Sequence, residues 1–120
     1  MPVTELTTQS FEKTVFENKL VFVDFWAPWC APCTAFGQIY EKLSDKYKDV
    51  LFTKVNIEKE TELSDVFSIQ SIPHLMIFKD GIVIYSESGS MPQSTLKELV
   101  EQAKEVDVSK VREEIENNKT

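Results

Sequence analysis

The chain is poor in the residues that build metal cages, covalent staples and phosphate-binding surfaces. It has two cysteines, one histidine and three glycines in 120 residues. Two thiols are too few for a self-contained four-ligand zinc site, and His74 lies about forty residues beyond them. Cys30 and Cys33 also make a poor staple, because closing so short a loop restricts the unfolded chain very little. Basic charge is scarce: 13 Lys and Arg face 20 Asp and Glu, for a formal net charge of −7. No basic field is available for a nucleic-acid backbone, so no nucleic-acid partner is expected. Apolar runs fall far short of a membrane span, and no membrane association is expected. The opening Met1-Pro2-Val3-Thr4-Glu5 lacks a basic stretch followed by a hydrophobic one. The expected location is therefore the cytoplasm.

Apolar residues make up 42% of the chain and include eight phenylalanines, enough to build one cooperative core. Residues 3–6 suggest a short edge strand. Thr8 or Ser10 is the expected cap of a first helix with Phe11, Val15 and Phe16 facing inward. Residues 20–26 are almost continuously β-branched or aromatic, as in a strand covered on both faces, with Asp24 the one interruption. From Cys33 to about Tyr47, the spacing of Phe36, Ile39, Tyr40, Leu43 and Tyr47 predicts an amphipathic helix. Residues 50–57 read as a strand. A short helix over 60–67 is expected to turn Leu63, Val66 and Phe67 inward.

Leu75-Met76-Ile77-Phe78, the turn Lys79-Asp80-Gly81 and residues 82–85 predict a β-hairpin, with Gly89 ending its second strand. A helix over 92–103 carries Leu96, Leu99, Val100 and Ala103 along one stripe. Residues 107–118 are helical and highly charged, with a thin stripe at Val108, Val111 and Ile115. This order implies an α/β fold: a central mixed sheet with helices on both faces. The expected division is one domain over 1–107 and a charged extension over 108–120, in a monomeric protein.

The chemistry concentrates in Trp29-Cys30-Ala31-Pro32-Cys33, between a buried-type strand and a helix. In that setting the spacing points to redox use rather than metal binding. The first sulfur falls at an exposed helix N-terminus, where free backbone N–H groups favour a thiolate, and the second falls about a turn inward. Cys30 is expected to attack a substrate disulfide, and Cys33 to resolve the mixed disulfide. Lowering a thiol from about 8.5 to about 7 represents roughly 2 kcal/mol of thiolate stabilisation. Pro32 loses no hydrogen bond in the first turn and stiffens the loop.

Asp24, six residues before Cys30, is either an acid satisfied locally at a strand irregularity or a buried carboxyl beneath the cysteines. In the second case it would hold a proton near neutrality and relay it to or from Cys33. Pro73 either starts a strand with a trans bond or follows a cis bond that turns the backbone toward the disulfide. In the latter case Trp29, Pro32, Ile72 and Pro73 would rim Cys30, and a substrate backbone would pair there.

Residues 3–103 resemble the thioredoxin family. The resemblance rests on Val23-Asp24-Phe25-Trp26-Ala27-Pro28-Trp29-Cys30-Ala31-Pro32-Cys33, on Ile72-Pro73, on Phe78-Lys79-Asp80-Gly81 and on Gly89. It implies Cys30 as nucleophile, Cys33 as resolving thiol, Asp24 as buried acid–base group, Pro73 as a cis residue and Gly89 near the substrate groove. Lys54 matches a lysine that pairs near the buried acid; from the residues alone it is equally an exposed strand position. No bound cofactor is implied. Electrons would come from NADPH through a separate flavoprotein, thioredoxin reductase, and pass to oxidised clients such as peroxidases or reductases.

The chain departs from the family pattern at several positions. Ala31 replaces a usual glycine; alanine loses less entropy on folding and is expected to leave activity intact. Thr34 replaces a frequent lysine, removing a charge that would favour the thiolate. Gln38 stands where a kinking proline is common, so a straighter helix is expected. His74 replaces a common threonine, where it either fills the rim or alters substrate choice and pH response. The leading expectation is a general protein-disulfide reductase. The alternatives are an oxidase or isomerase, and a thioredoxin-fold binding subunit with secondary redox activity.

Overall fold

The computed structural model describes residues 3–117. Asn118, assigned to the last helical stretch, and the rest of the extension lie outside the described residues, as do Met1 and Pro2. The elements in chain order are β1 (Val3–Glu5), α1 (Thr8–Glu17), β2 (Leu20–Trp26), α2 (Ala31–Ser44), β3 (Leu51–Asn56), α3 (Thr61–Val66), β4 (His74–Lys79), β5 (Ile82–Ser88), α4 (Gln93–Glu105) and α5 (Val108–Asn117). They build one mixed sheet in the order β1-β3-β2-β4-β5. β1 and β2 run parallel to β3, whereas β2–β4 and β4–β5 are antiparallel.

Central β2 is covered on both sides, which explains its unbroken apolar sequence. Side chains alternate between the two faces of a strand. Val21, Val23 and Phe25 accordingly join Phe11 and Val15 of α1 and Leu63 of α3 in one core. Leu20 and Phe22 join Phe36, Tyr40 and Leu43 of α2, with Leu96 and Val100 of α4, in the other. Each such large side chain contributes about 1.5–3 kcal/mol on full burial. The same alternation turns Asp24 toward α2.

Several local expectations are corrected. The cap of α1 is Thr7, not Thr8 or Ser10. Its hydroxyl accepts from the Ser10 N–H at 3.1 Å, while Ser10 Oγ accepts from the Thr7 N–H at 3.0 Å. Phe16 and Val66 are exposed rather than inward-facing, because each falls just off the stripe that meets the sheet. α2 starts two residues earlier than expected and ends at Ser44, leaving half-buried Tyr47 in the following turn. Pro92 is the N-cap of α4 rather than its first residue.

The hairpin closes with Lys79 opposite Ile82, so Asp80 and Gly81 form a two-residue turn with φ of 51° and 79°. Glycine suits the positive φ at 81, and a Cβ there would lie 2.5 Å from Cε1 of the exposed Phe16 ring, which would have to shift. Lys79, read in the sequence as a turn residue, is instead buried at the end of β4. Its ammonium donates to the carbonyls of Ala103, Lys104 and Val106, each at 2.8 Å, and so closes the C-terminus of α4. α5 buries no residue; Arg112 Nη2 donates to the Asp80 carbonyl at 2.9 Å.

Candidate active site

β2 delivers the chain to the C-terminal end of the central strand, where the Ala27 carbonyl accepts from the Cys30 N–H at 3.2 Å before α2 begins. Cys30 is the N-cap of α2, with extended backbone, and its sulfur accepts from the Cys33 N–H at 3.2 Å. Ala31 and Pro32 occupy the first turn, where the missing proline N–H costs nothing. Cys30 and Cys33 form a disulfide, with Cα atoms 5.2 Å apart. Ala27, Ile72, Ile57 and Trp26 pack around the pair.

The sulfur expected to be exposed is largely covered: Cys30 is 6% accessible and Cys33 2%. The first sulfur lies 3.9 Å from the Ile72 carbonyl oxygen. Trp29, 67% accessible, and Pro32 stand exposed beside them, with Ile72 half-buried and Pro73 buried. The Ile72–Pro73 bond is cis. The Gly89 N–H donates to the Pro73 carbonyl at 2.8 Å, with Gly89 at φ 110°.

Asp24 is 3% accessible, and its Oδ1 has no hydrogen-bond partner. Burial pushes its pKa up to about 7; the Lys54 cation, opposite Asp24 on β3, acts in the other direction. A local satisfied acid is therefore the wrong description. Half-buried Lys54 lies on the same side, its Nζ 4.9 Å from the Trp26 ring centroid. Asp24, Trp26, Cys33, Tyr40 and Lys54 all line one cavity. Burial, with the nearby Asp24 charge, holds the Tyr40 phenol well above its usual range; its hydroxyl donates to the Thr53 carbonyl at 2.8 Å.

His74 stands on the other face of the sheet, its ring 6.2 Å from that of Phe25 and its Nε2 2.8 Å from Ser86 Oγ. Burial lowers its pKa against the opposing influence of Glu87. It does not share the Asp24 cavity. Trp26, Gly37 and Tyr40 are cavity residues that the sequence reading did not assign to the site. The signal was present: Trp26 follows Asp24 by two on a strand, and Gly37 and Tyr40 follow Cys33 by four and seven on a helix. Among the described residues no cluster of His, Cys, Asp or Glu is arranged to hold a metal ion. Among the same residues no helix is long and apolar enough to cross a membrane.

Such a site can exchange two electrons between a dithiol and a disulfide, with a proton held beneath it. Residues 2–102 match the family described as Thioredoxin. The chain belongs to the thioredoxin family. It is 39% identical over 102 residues to a thioredoxin of Buchnera aphidicola, covering 83% of this chain and 94% of that one. It is 38% identical over 98 residues to a thioredoxin of Pyropia yezoensis, covering 80% and 92%. Among solved structures, Plasmodium falciparum thioredoxin matches with a TM-score of 0.77 and 32% identity over 82% of this chain and 97% of that one. A mutant thioredoxin from Halobacterium salinarum, at 24% identity, covers 88% and 93% with a TM-score of 0.80, a likeness of fold alone. Disulfide reduction through a paired-cysteine centre is the thioredoxin-type activity of this chain. The family match stops short of α5.

Proposed function

We propose that this chain is a general protein-disulfide reductase in which Cys30 attacks and Cys33 resolves. The observation that carries the reading is the Cys33 N–H directed at Cys30 Sγ on a helix N-terminus, above a carboxyl with an unpartnered oxygen. That N–H and the helix dipole favour negative charge on the Cys30 sulfur once the disulfide is reduced. The thiolate attacks one client sulfur, the client S–S bond breaks, and the other client sulfur leaves as a thiolate that takes up a proton.

Asp24 then accepts the Cys33 proton, and the new thiolate attacks Cys30. The mixed disulfide breaks and the second client sulfur leaves as a thiolate that takes up a proton from solvent. Two electrons have passed to the client, leaving Cys30 and Cys33 oxidised. Lys54 limits how tightly Asp24 holds its proton. Trp29, Ala31, Pro32, Ile72 and Pro73 form the docking rim, where the client backbone meets main-chain groups near Gly89, and His74 shapes its outer edge.

Electrons return from NADPH through a flavoprotein thioredoxin reductase, and peroxidases and reductases are the client classes. A reducing compartment such as the cytoplasm suits this cycle. Residues 1–107 form the working domain and 108–120 an appended extension; the absence of any buried residue in α5 supports that division.

Insulin-disulfide reduction with dithiothreitol tests the reading. Cys30→Ser is expected to reduce insulin no faster than dithiothreitol alone, and undiminished activity would overturn the mechanism. Cys33→Ser is expected to trap clients as mixed disulfides from cell extract. Equilibration with glutathione separates a reductase, near roughly −270 mV, from an oxidant, near roughly −120 mV.

A further inference from the structure

The cavity beside the cysteines has a volume of about 220 Å³ and runs from buried to exposed residues. Its floor is Asp24, Cys33 and Tyr40, with Trp26 and Lys54 beside them. Its mouth is Thr34, Gln38 and Glu41, and Gly37 stands between. Asp24 Oδ1 and Trp26 Nε1, the buried side-chain polar atoms without partners among the described residues, both belong to this lining. A cavity of this size with unpartnered polar atoms in its lining accommodates water, and buried waters characteristically bond such groups.

Gly37 has no conformational or packing reason to be glycine. It lies inside α2, where glycine weakens a helix relative to alanine. Its φ is not positive, and an added Cβ would meet nothing within 4 Å. The missing side chain leaves the cavity wall open at the point where floor meets mouth.

We propose that Gly37 is a positioning residue that keeps open a water inlet through which Asp24 exchanges its proton with solvent. This rests on the proposed transfer from the Cys33 thiol to the Asp24 carboxylate. In each turnover that carboxyl must release the proton again. The inlet carries it outward between Gln38 and Glu41, while the Cys33 electrons remain in the new S–S bond. The groups facing Asp24 are Cys33, Tyr40 and Glu41 from α2, Lys54 from β3 and the Trp26 indole from β2 itself. β1 and β4 contribute apolar Val3 and Leu75. Burial already brings the Asp24 pKa up to about 7, so further loss of water would leave less carboxylate at neutral pH.

Gly37→Met is the test, because a flexible chain at this position reaches into the open space. Two readouts are needed: the Asp24 carboxyl titration by carbon NMR in the oxidised protein, and the pH profile of insulin reduction. The Asp24 midpoint is expected to move upward, and the acidic limb of the profile with it. At pH 7 the rate falls roughly three- to tenfold, and the loss shrinks as pH rises. Gly37→Ala, which restores helix propensity with one methyl group, is expected to move the midpoint less than Gly37→Met. Gly37→Leu supplies an independent plug should the first variant unfold early. An unmoved Asp24 midpoint, or a rate loss equal at every pH, would overturn the inlet. Because the titration needs no turnover, it decides the inlet even if the Cys30→Ser assay removes the proposed mechanism.

Discussion

Two buried charged residues on the α2 and α4 side of the sheet make an instructive pair. Asp24 and Lys79 are 3% and 5% accessible, and they lie toward opposite ends of the β2–β4 ladder. Lys79 has three donors and meets three carbonyls at the end of α4. Asp24 meets a cavity and leaves Oδ1 unpartnered. A buried charge with every bond made is a clamp with no spare capacity for chemistry. One left incompletely bonded is disfavoured as a charge, so it keeps a proton up to near neutral pH and can exchange it there. The two ends of one sheet thus separate structure from chemistry.

The largest test of that contrast is removal of the clamp. Lys79→Met leaves three carbonyls without their donor and is expected to lower stability by about 3 kcal/mol in urea unfolding. A loss below about 1 kcal/mol would break the comparison.

Asp24→Asn is expected to act in the opposite direction. The folded protein holds the Asp24 proton up to about 7 against an ordinary 3.8. Between those values the folded state binds more protons than the unfolded one, so stability falls as pH rises through the window and levels off above it. The span corresponds to on the order of 4 kcal/mol. Asp24→Asn is therefore expected to raise stability by about 2–4 kcal/mol at pH 8 and by little near pH 4, followed by thermal or urea unfolding. Equal effects at both pH values would show that the carboxyl is not a strained charge.

Lys54→Met sharpens the same point with a smaller effect. Removing the cation that opposes burial is expected to raise the Asp24 midpoint further, by roughly one pH unit or less. Carbon NMR of the carboxyl reads it directly, and a downward move would contradict the assigned influence of Lys54.

Much of the site was legible in the residues because its logic is local. Cys30 and Cys33 sit at a strand-to-helix junction, and strand alternation places Asp24 with Phe22 rather than with Val23 and Phe25. Helix period likewise puts Gly37 and Tyr40 behind Cys33. Less legible was anything decided by a distant partner. Helical spacing points Phe16 and Val66 inward, yet their exposure depends on where α1 and α3 come to rest on the sheet. Lys79 looked like an ordinary turn lysine until the end of α4 supplied its acceptors.

The amino-acid sequence by itself determined the elements, the dithiol and the face on which the acid falls, since backbone periodicity and helix-end chemistry act over a few residues. Only the tertiary structure decided that Lys79 finds three carbonyls and that one Asp24 oxygen finds none. Those outcomes depend on groups brought together across the sheet, and packing sets which buried polar atoms are satisfied.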